Sequence, residues 1–97
     1  MITTITDINE MPSDCILIVG GESCNACKLM YDQIEKSPLT NVFYIDIKNC
    51  FNYVNRLSER PKSLPIIIKM VNGKSKKVAV GNISITKLIQ EFINDFI

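Results

Sequence analysis

The sequence predicts an α/β chain, a mixed sheet of four to five strands flanked by helices. Three stretches carry the prediction. The first is Ile16–Lys28, ILIVGGESCNACK, where a short apolar run gives way to two glycines, a polar turn and a helical pattern. The second is Val42–Ile47, VFYIDI, whose branched and aromatic side chains suit a strand beyond that helix. Together they form a β-α-β unit, which implies parallel strands and a right-handed crossover. The third is Asn72-Gly73 between two further strand runs, the dipeptide of a tight hairpin, so the last two strands run antiparallel. A parallel unit joined to an antiparallel hairpin gives a mixed sheet with helices packed on it.

Each element has a local reason. Ile2–Thr6 alternates loosely and suits a short edge strand, and Asp7–Asp14 is polar, broken by Pro12, and reads as a turn. Cys15–Val19 is apolar at every position, the pattern of a strand buried on both faces. Gly20 and Gly21 end it, with backbone angles open to glycine alone. From Cys24 to Lys36, Cys27, Met30, Tyr31 and Ile34 recur on one helical face, and Pro38 closes the segment. After the second strand, Asn49 is placed to cap a short helix from Cys50 to about Ser58, with Phe51, Val54 and Leu57 as its apolar stripe. Glu59–Ser63 is a polar linker, and Pro65 opens the strand run IIIKMV, where its missing amide costs no interior ladder bond. Lys76–Val80 returns, and Gly81-Asn82 turns the chain. Ser84 then caps a final helix whose apolar face is Ile85, Leu88, Ile89, Phe92, Ile93 and Phe96.

Composition narrows the function classes. At 97 residues the chain fits a single domain, residues 1–97, with a modest core. Eleven basic against ten acidic residues leave a net charge of +1, which gives no case for nucleic acid or an anionic membrane. Lys74, Lys76 and Lys77 read as a solvated hairpin. The N-terminus shows no basic region followed by a long apolar run, and no run is long enough to span a bilayer. A reducing, cytoplasmic compartment is therefore expected, so the four cysteines are not taken as a secreted disulfide scaffold.

The chemistry lies in Cys24 and Cys27. Two residues between them allow their sulfurs to bridge without unwinding the helix. Cys24 opens the helix, where unpaired amides and the helix dipole favour a thiolate and lower its pKa. Cys27 sits one turn deeper. Cys24 then attacks a substrate disulfide, and Cys27 resolves the mixed disulfide that results. Zinc is the competing use of such a pair. It normally takes four ligands, and the chain has no histidine. Cys15 and Cys50 could complete a four-thiolate set, but a strand's length separates Cys15 from the dithiol loop. They read better as small apolar fillers, and neither a metal nor a cofactor is expected.

With these residues in place, nearly the whole chain resembles the thioredoxin and glutaredoxin superfamily. The markers are Cys24 and Cys27, Leu64-Pro65 with the strand run after it, Asn72-Gly73-Lys74, Gly81 and the final amphipathic helix. The resemblance implies a thioredoxin-like fold and a cis peptide bond at Pro65 lying against the dithiol. It also implies a substrate surface made by Ser23, Asn25, Ala26, Leu64, Pro65 and Gly81, with Leu64 offering backbone groups to an extended client. The implied partners are a disulfide-containing client protein and either thioredoxin reductase or the glutathione system, acting on a monomer. The sequence departs from the family at several positions. Ser23 stands where an aromatic residue usually precedes the first cysteine, and Asn25-Ala26 replaces the usual Gly-Pro. The family's buried acid falls at Ile18 and its companion lysine at Tyr44, so proton transfer to Cys27 must use water or another group. Val80-Gly81-Asn82 has one glycine where glutaredoxins carry two. The expected activity is reduction of protein disulfides, with a glutathione-dependent reductase or a non-catalytic binding module as alternatives.

Overall fold

A computed structural model describes residues 2–57, 63–81 and 83–90. The strands are β1 (Ile2–Thr4), β2 (Cys15–Gly20), β3 (Val42–Asp46), β4 (Ile66–Val71) and β5 (Lys74–Val80). The helices are α1 (Asn25–Glu35), α2 (Phe51–Asn55) and α3 (Ile85–Leu88). The five strands form one sheet in the order β1-β3-β2-β4-β5. β1 and β2 run parallel to β3, whereas β2–β4 and β4–β5 are antiparallel, as the two sequence signals require.

Register decides what meets what. Gly20 pairs with Asp46, and Val19 with Ile66. The C-terminal ends of β2 and β3 and the N-terminal end of β4 thus share one end of the sheet. Side chains alternate across it. Ile16, Ile18 and Ile67 pack with Met30 and Ile34 of α1 and Leu88 of α3 on one face. Cys15, Leu17, Val19, Ile66, Ile68 and Met70 pack with Cys50 and Val54 on the other. Each buried isoleucine or leucine contributes on the order of 1.5–3 kcal/mol, so the central pair β2 and β4 anchors both cores.

The hairpin geometry follows from its dipeptide. Asn72 and Gly73 both take positive φ, 54° and 77°, the turn whose twist matches antiparallel strands. Asp14 holds the turn from below, its carboxylate accepting from the Asn72 amide at 2.8 Å, while the Gly73 amide donates to Ser13 O at 2.9 Å.

Three expectations are corrected. Gly20 and Gly21 do not need special backbone angles: positive φ among the glycines is confined to Gly73 and Gly81. Gly20 is needed for space, because a Cβ there would fall inside the Tyr44 hydroxyl and ring, and one on Gly21 would lie 3.0 Å from Leu64 Cδ1. Asn49 does not cap α2. It ends a single 3-10 turn over Ile47–Asn49, and Cys50 stands at the cap position with no side-chain hydrogen bond. Phe51 is not core but 60 % exposed, because α2 turns that flank outward. The structure adds that Lys69, within the apolar run of β4, has its side chain wholly buried on the α1 face of the sheet. The expectations for linker residues 59–62, Asn82, Phe92, Ile93 and Phe96 lie outside the described residues. Ser84 does cap α3, accepting from the Lys87 amide at 3.1 Å.

Candidate active site

β2 delivers the chain to the end of the sheet, and a tight turn redirects it into α1. The Cys24 amide donates to Gly21 O at 3.3 Å, closing that turn. Cys24 is the N-cap of α1, in extended geometry (φ −96°, ψ 103°). Its sulfur accepts from the Cys27 amide at 3.1 Å, and its carbonyl accepts from the Lys28 amide at 3.2 Å. A sulfur in this position takes the role usually filled by serine or aspartate oxygen. An anion there meets an otherwise unpaired donor and the positive end of the helix dipole.

Cys24 and Cys27 are joined as a disulfide, with their Cα atoms 5.2 Å apart. The two sulfurs differ in access. Cys24 is half-buried at the helix tip, and Cys27 has no exposed surface. An outside nucleophile or electrophile therefore reaches the first sulfur and not the second. Ser23 and Asn25 are exposed on either side of Cys24, and Ala26 is half-buried in the first turn. Lys28 and Leu29 point to solvent, Leu29 with 56 % of its surface exposed.

The Leu64-Pro65 bond is cis. Pro65 is buried at the start of β4, and its carbonyl accepts from the Gly81 amide at 2.8 Å, which ties the end of β5 to the same spot. Leu64 packs against Gly21 of the dithiol turn. The structure thus gathers Ser23, Cys24, Asn25, Ala26, Cys27, Leu64, Pro65 and Gly81 at one end of the sheet. Cys15 and Cys50 lie apart from them as buried free thiols in the opposite core. Burial first, then Asp14 for Cys15 and Asp46 for Cys50, raises each thiol to about 11. Both are held protonated and inert at neutral pH.

Three features at this end went unread in the sequence. Lys48 Nζ pairs with Glu22 Oε1 at 2.9 Å across the β3–α2 connection, although both side chains are open to water and the pair adds little stability. An apolar recess of about 170 Å³ lies beside Leu64, lined also by Ile47, Phe51, Val54 and Ile66. Exposed Phe51 forms its outer wall. The third is the Gly20–Tyr44 contact. The missing signal in each case is long-range register, which local pattern does not carry.

No protein-family model matches the sequence, and neither does any curated protein. Solved structures do match in shape. A thioredoxin of Plasmodium falciparum superposes with a TM-score of 0.75 at 20% identity, covering 100% of both chains. Mitochondrial thioredoxin 3 of Saccharomyces cerevisiae, in its oxidized form, gives 0.72 at 16% identity over 96% of this chain and 94% of its own. Desulfothioredoxin of Desulfovibrio vulgaris Hildenborough gives 0.69 at 21% identity over 96% of each. The fold is that of the thioredoxins.

Proposed function

We propose that this thioredoxin-fold chain is a thiol-disulfide oxidoreductase that reduces disulfides in client proteins. The observation that carries the reading is the asymmetry of the pair. Cys24 is reachable and hydrogen-bonded by a helix-tip amide, while Cys27 is sealed behind it and bridged to it.

In the reduced protein, the Cys24 thiolate attacks one sulfur of a client disulfide. The client S–S bond breaks, its second sulfur leaves as a thiolate and takes a proton, and a mixed disulfide remains. Cys27, once deprotonated, attacks Cys24 Sγ. The bond to the client breaks, the second client thiol is released, and the Cys24–Cys27 bridge forms. Two electrons pass from the dithiol to the client. Ser23, Asn25, Ala26, Leu64, Pro65 and Gly81 surround the reacting sulfur, and an extended client segment lies against Leu64. The recess beside Phe51 accepts an apolar client side chain. A reductant of the thioredoxin reductase or glutathione class restores the dithiol, in a reducing compartment such as the cytoplasm.

Turbidity from the insulin B chain, with dithiothreitol as electron source, tests the reading. Precipitation should begin well ahead of the dithiothreitol control, and Cys24→Ser should abolish the acceleration. A folded protein no faster than that control overturns the proposal.

A further inference from the structure

Resolution by Cys27 needs a polar partner for its sulfur, and α1 supplies no acid or base beside it. Lys28 and Asp32 are on the solvent side of that helix. On β2, Ile18 belongs to the core layer packed against α1, and it does not titrate. Its cross-strand neighbour on β3 is Tyr44. Tyr44 packs into the core between the sheet and α1, the layer that also holds Met30 and Ile34. Cys27 lies on that same buried helical face, three residues before Met30 and seven before Ile34.

The Tyr44 hydroxyl occupies the volume that a side chain on Gly20 would fill. Gly20 is the last residue of β2 and leads directly into the dithiol turn. Tyr31, one turn beyond Cys27, meets the Tyr44 ring edge-to-face at 5.3 Å. The phenol end of Tyr44 is thus fixed at the dithiol end of the sheet from two sides. Among the described residues, its oxygen makes no hydrogen bond.

We propose that the Tyr44 hydroxyl is a hydrogen-bond donor to the Cys27 sulfur when the Cys24–Cys27 bridge opens. The inference rests on the reading that this bridge cycles. When a thiolate attacks Cys24 Sγ, the Cys24–Cys27 bond breaks and its electron pair goes to Cys27. Tyr44 donates a hydrogen bond to that thiolate and keeps its own proton, and solvent supplies the proton that finally neutralises Cys27. Burial, with Asp46 on its own strand and Tyr31 on α1, holds the phenol above its usual range, so it stays protonated while the thiol titrates. Farther along this face, Lys69 is buried on β4, two strands away, and Lys77 is its register partner on β5.

The test is Tyr44→Phe, which keeps the ring and removes the donor. Thiolate absorbance is titrated in Cys24→Ser protein with and without Tyr44→Phe. The Cys27 midpoint should rise by about one pH unit or more, and dithiothreitol should reduce the oxidised Tyr44→Phe protein about tenfold more slowly at neutral pH. An unchanged midpoint in a folded variant overturns the inference. A second measurement needs no variant. With ¹³C-labelled tyrosine, the Tyr44 Cζ resonance should move on reduction and follow the Cys27 titration, while Tyr53, on the opposite face of the sheet, stays still. A Tyr44 resonance indifferent to redox state overturns it equally. None of these readouts involves a protein client, so they stand or fall apart from activity on one.

Discussion

Gly20 carries no side chain because Tyr44, reaching across from β3, fills its volume. A methyl group there must displace backbone or ring in a packed layer, and such overpacking costs about 1–3 kcal/mol. Gly20→Ala should therefore lower the unfolding free energy measured in urea by that amount, and Tyr44→Leu in the same chain should recover part of the loss. Additive losses in the double variant would show that the two residues do not share the space. A second residue-scale expectation concerns pH. Cys15 and Cys50 have an ordinary thiol value of 9.0 and are raised by burial to about 11. Above pH 9 the unfolded chain gives up these protons while the folded one keeps them, so stability is full below that value and falls toward pH 11. The decline should flatten in a Cys15→Ala, Cys50→Ala protein. An equally steep decline without the two thiols would assign it to other groups.

At the scale of elements, what was legible is what is local. The tip of α1 was readable because Cys24, the polar turn before it and the apolar spacing after it lie within one short stretch. The β4–β5 hairpin was readable because Asn72-Gly73 prescribes its own backbone. Gly73→Ala puts a Cβ at φ 77° in open space, so the cost is conformational alone, about 1–2 kcal/mol. Chemical denaturation should show a loss in that range, and a loss near zero would mean that the turn relaxes to another type. What escaped the sequence depends on neighbours distant along the chain. Phe51 matches the helical period of Val54 and Leu57, yet whether a helix face is covered depends on where α2 ends relative to β4. Lys69 interrupts the apolar run of β4, and its burial follows from the interior place of β4 in the sheet, which the local pattern does not carry.

The whole molecule makes the dithiol usable. Parallel pairing of β2 with β3 and antiparallel pairing with β4 bring the end of β2, the Ile47–Asn49 turn and the cis Leu64-Pro65 bond to one end of the sheet. The sequence indicated that convergence through the order of its elements and the resemblance of its motifs. It did not indicate that Tyr44 fills the space over Gly20 or that a recess opens beside Leu64, since both arise from side chains on strands and helices meeting only in the assembled sheet. The central claim is that Cys24 and Cys27 form one reversible redox couple while the other two thiols stand aside. Intact-mass analysis of the protein equilibrated across a glutathione redox series, with peptide mapping of alkylated thiols, tests this most directly. The account predicts a single two-electron transition, loss of two hydrogens mapped to Cys24 and Cys27, and Cys15 and Cys50 unmodified throughout. A pair that stays reduced across the whole series, or a bridge running to Cys15 or Cys50, would contradict it.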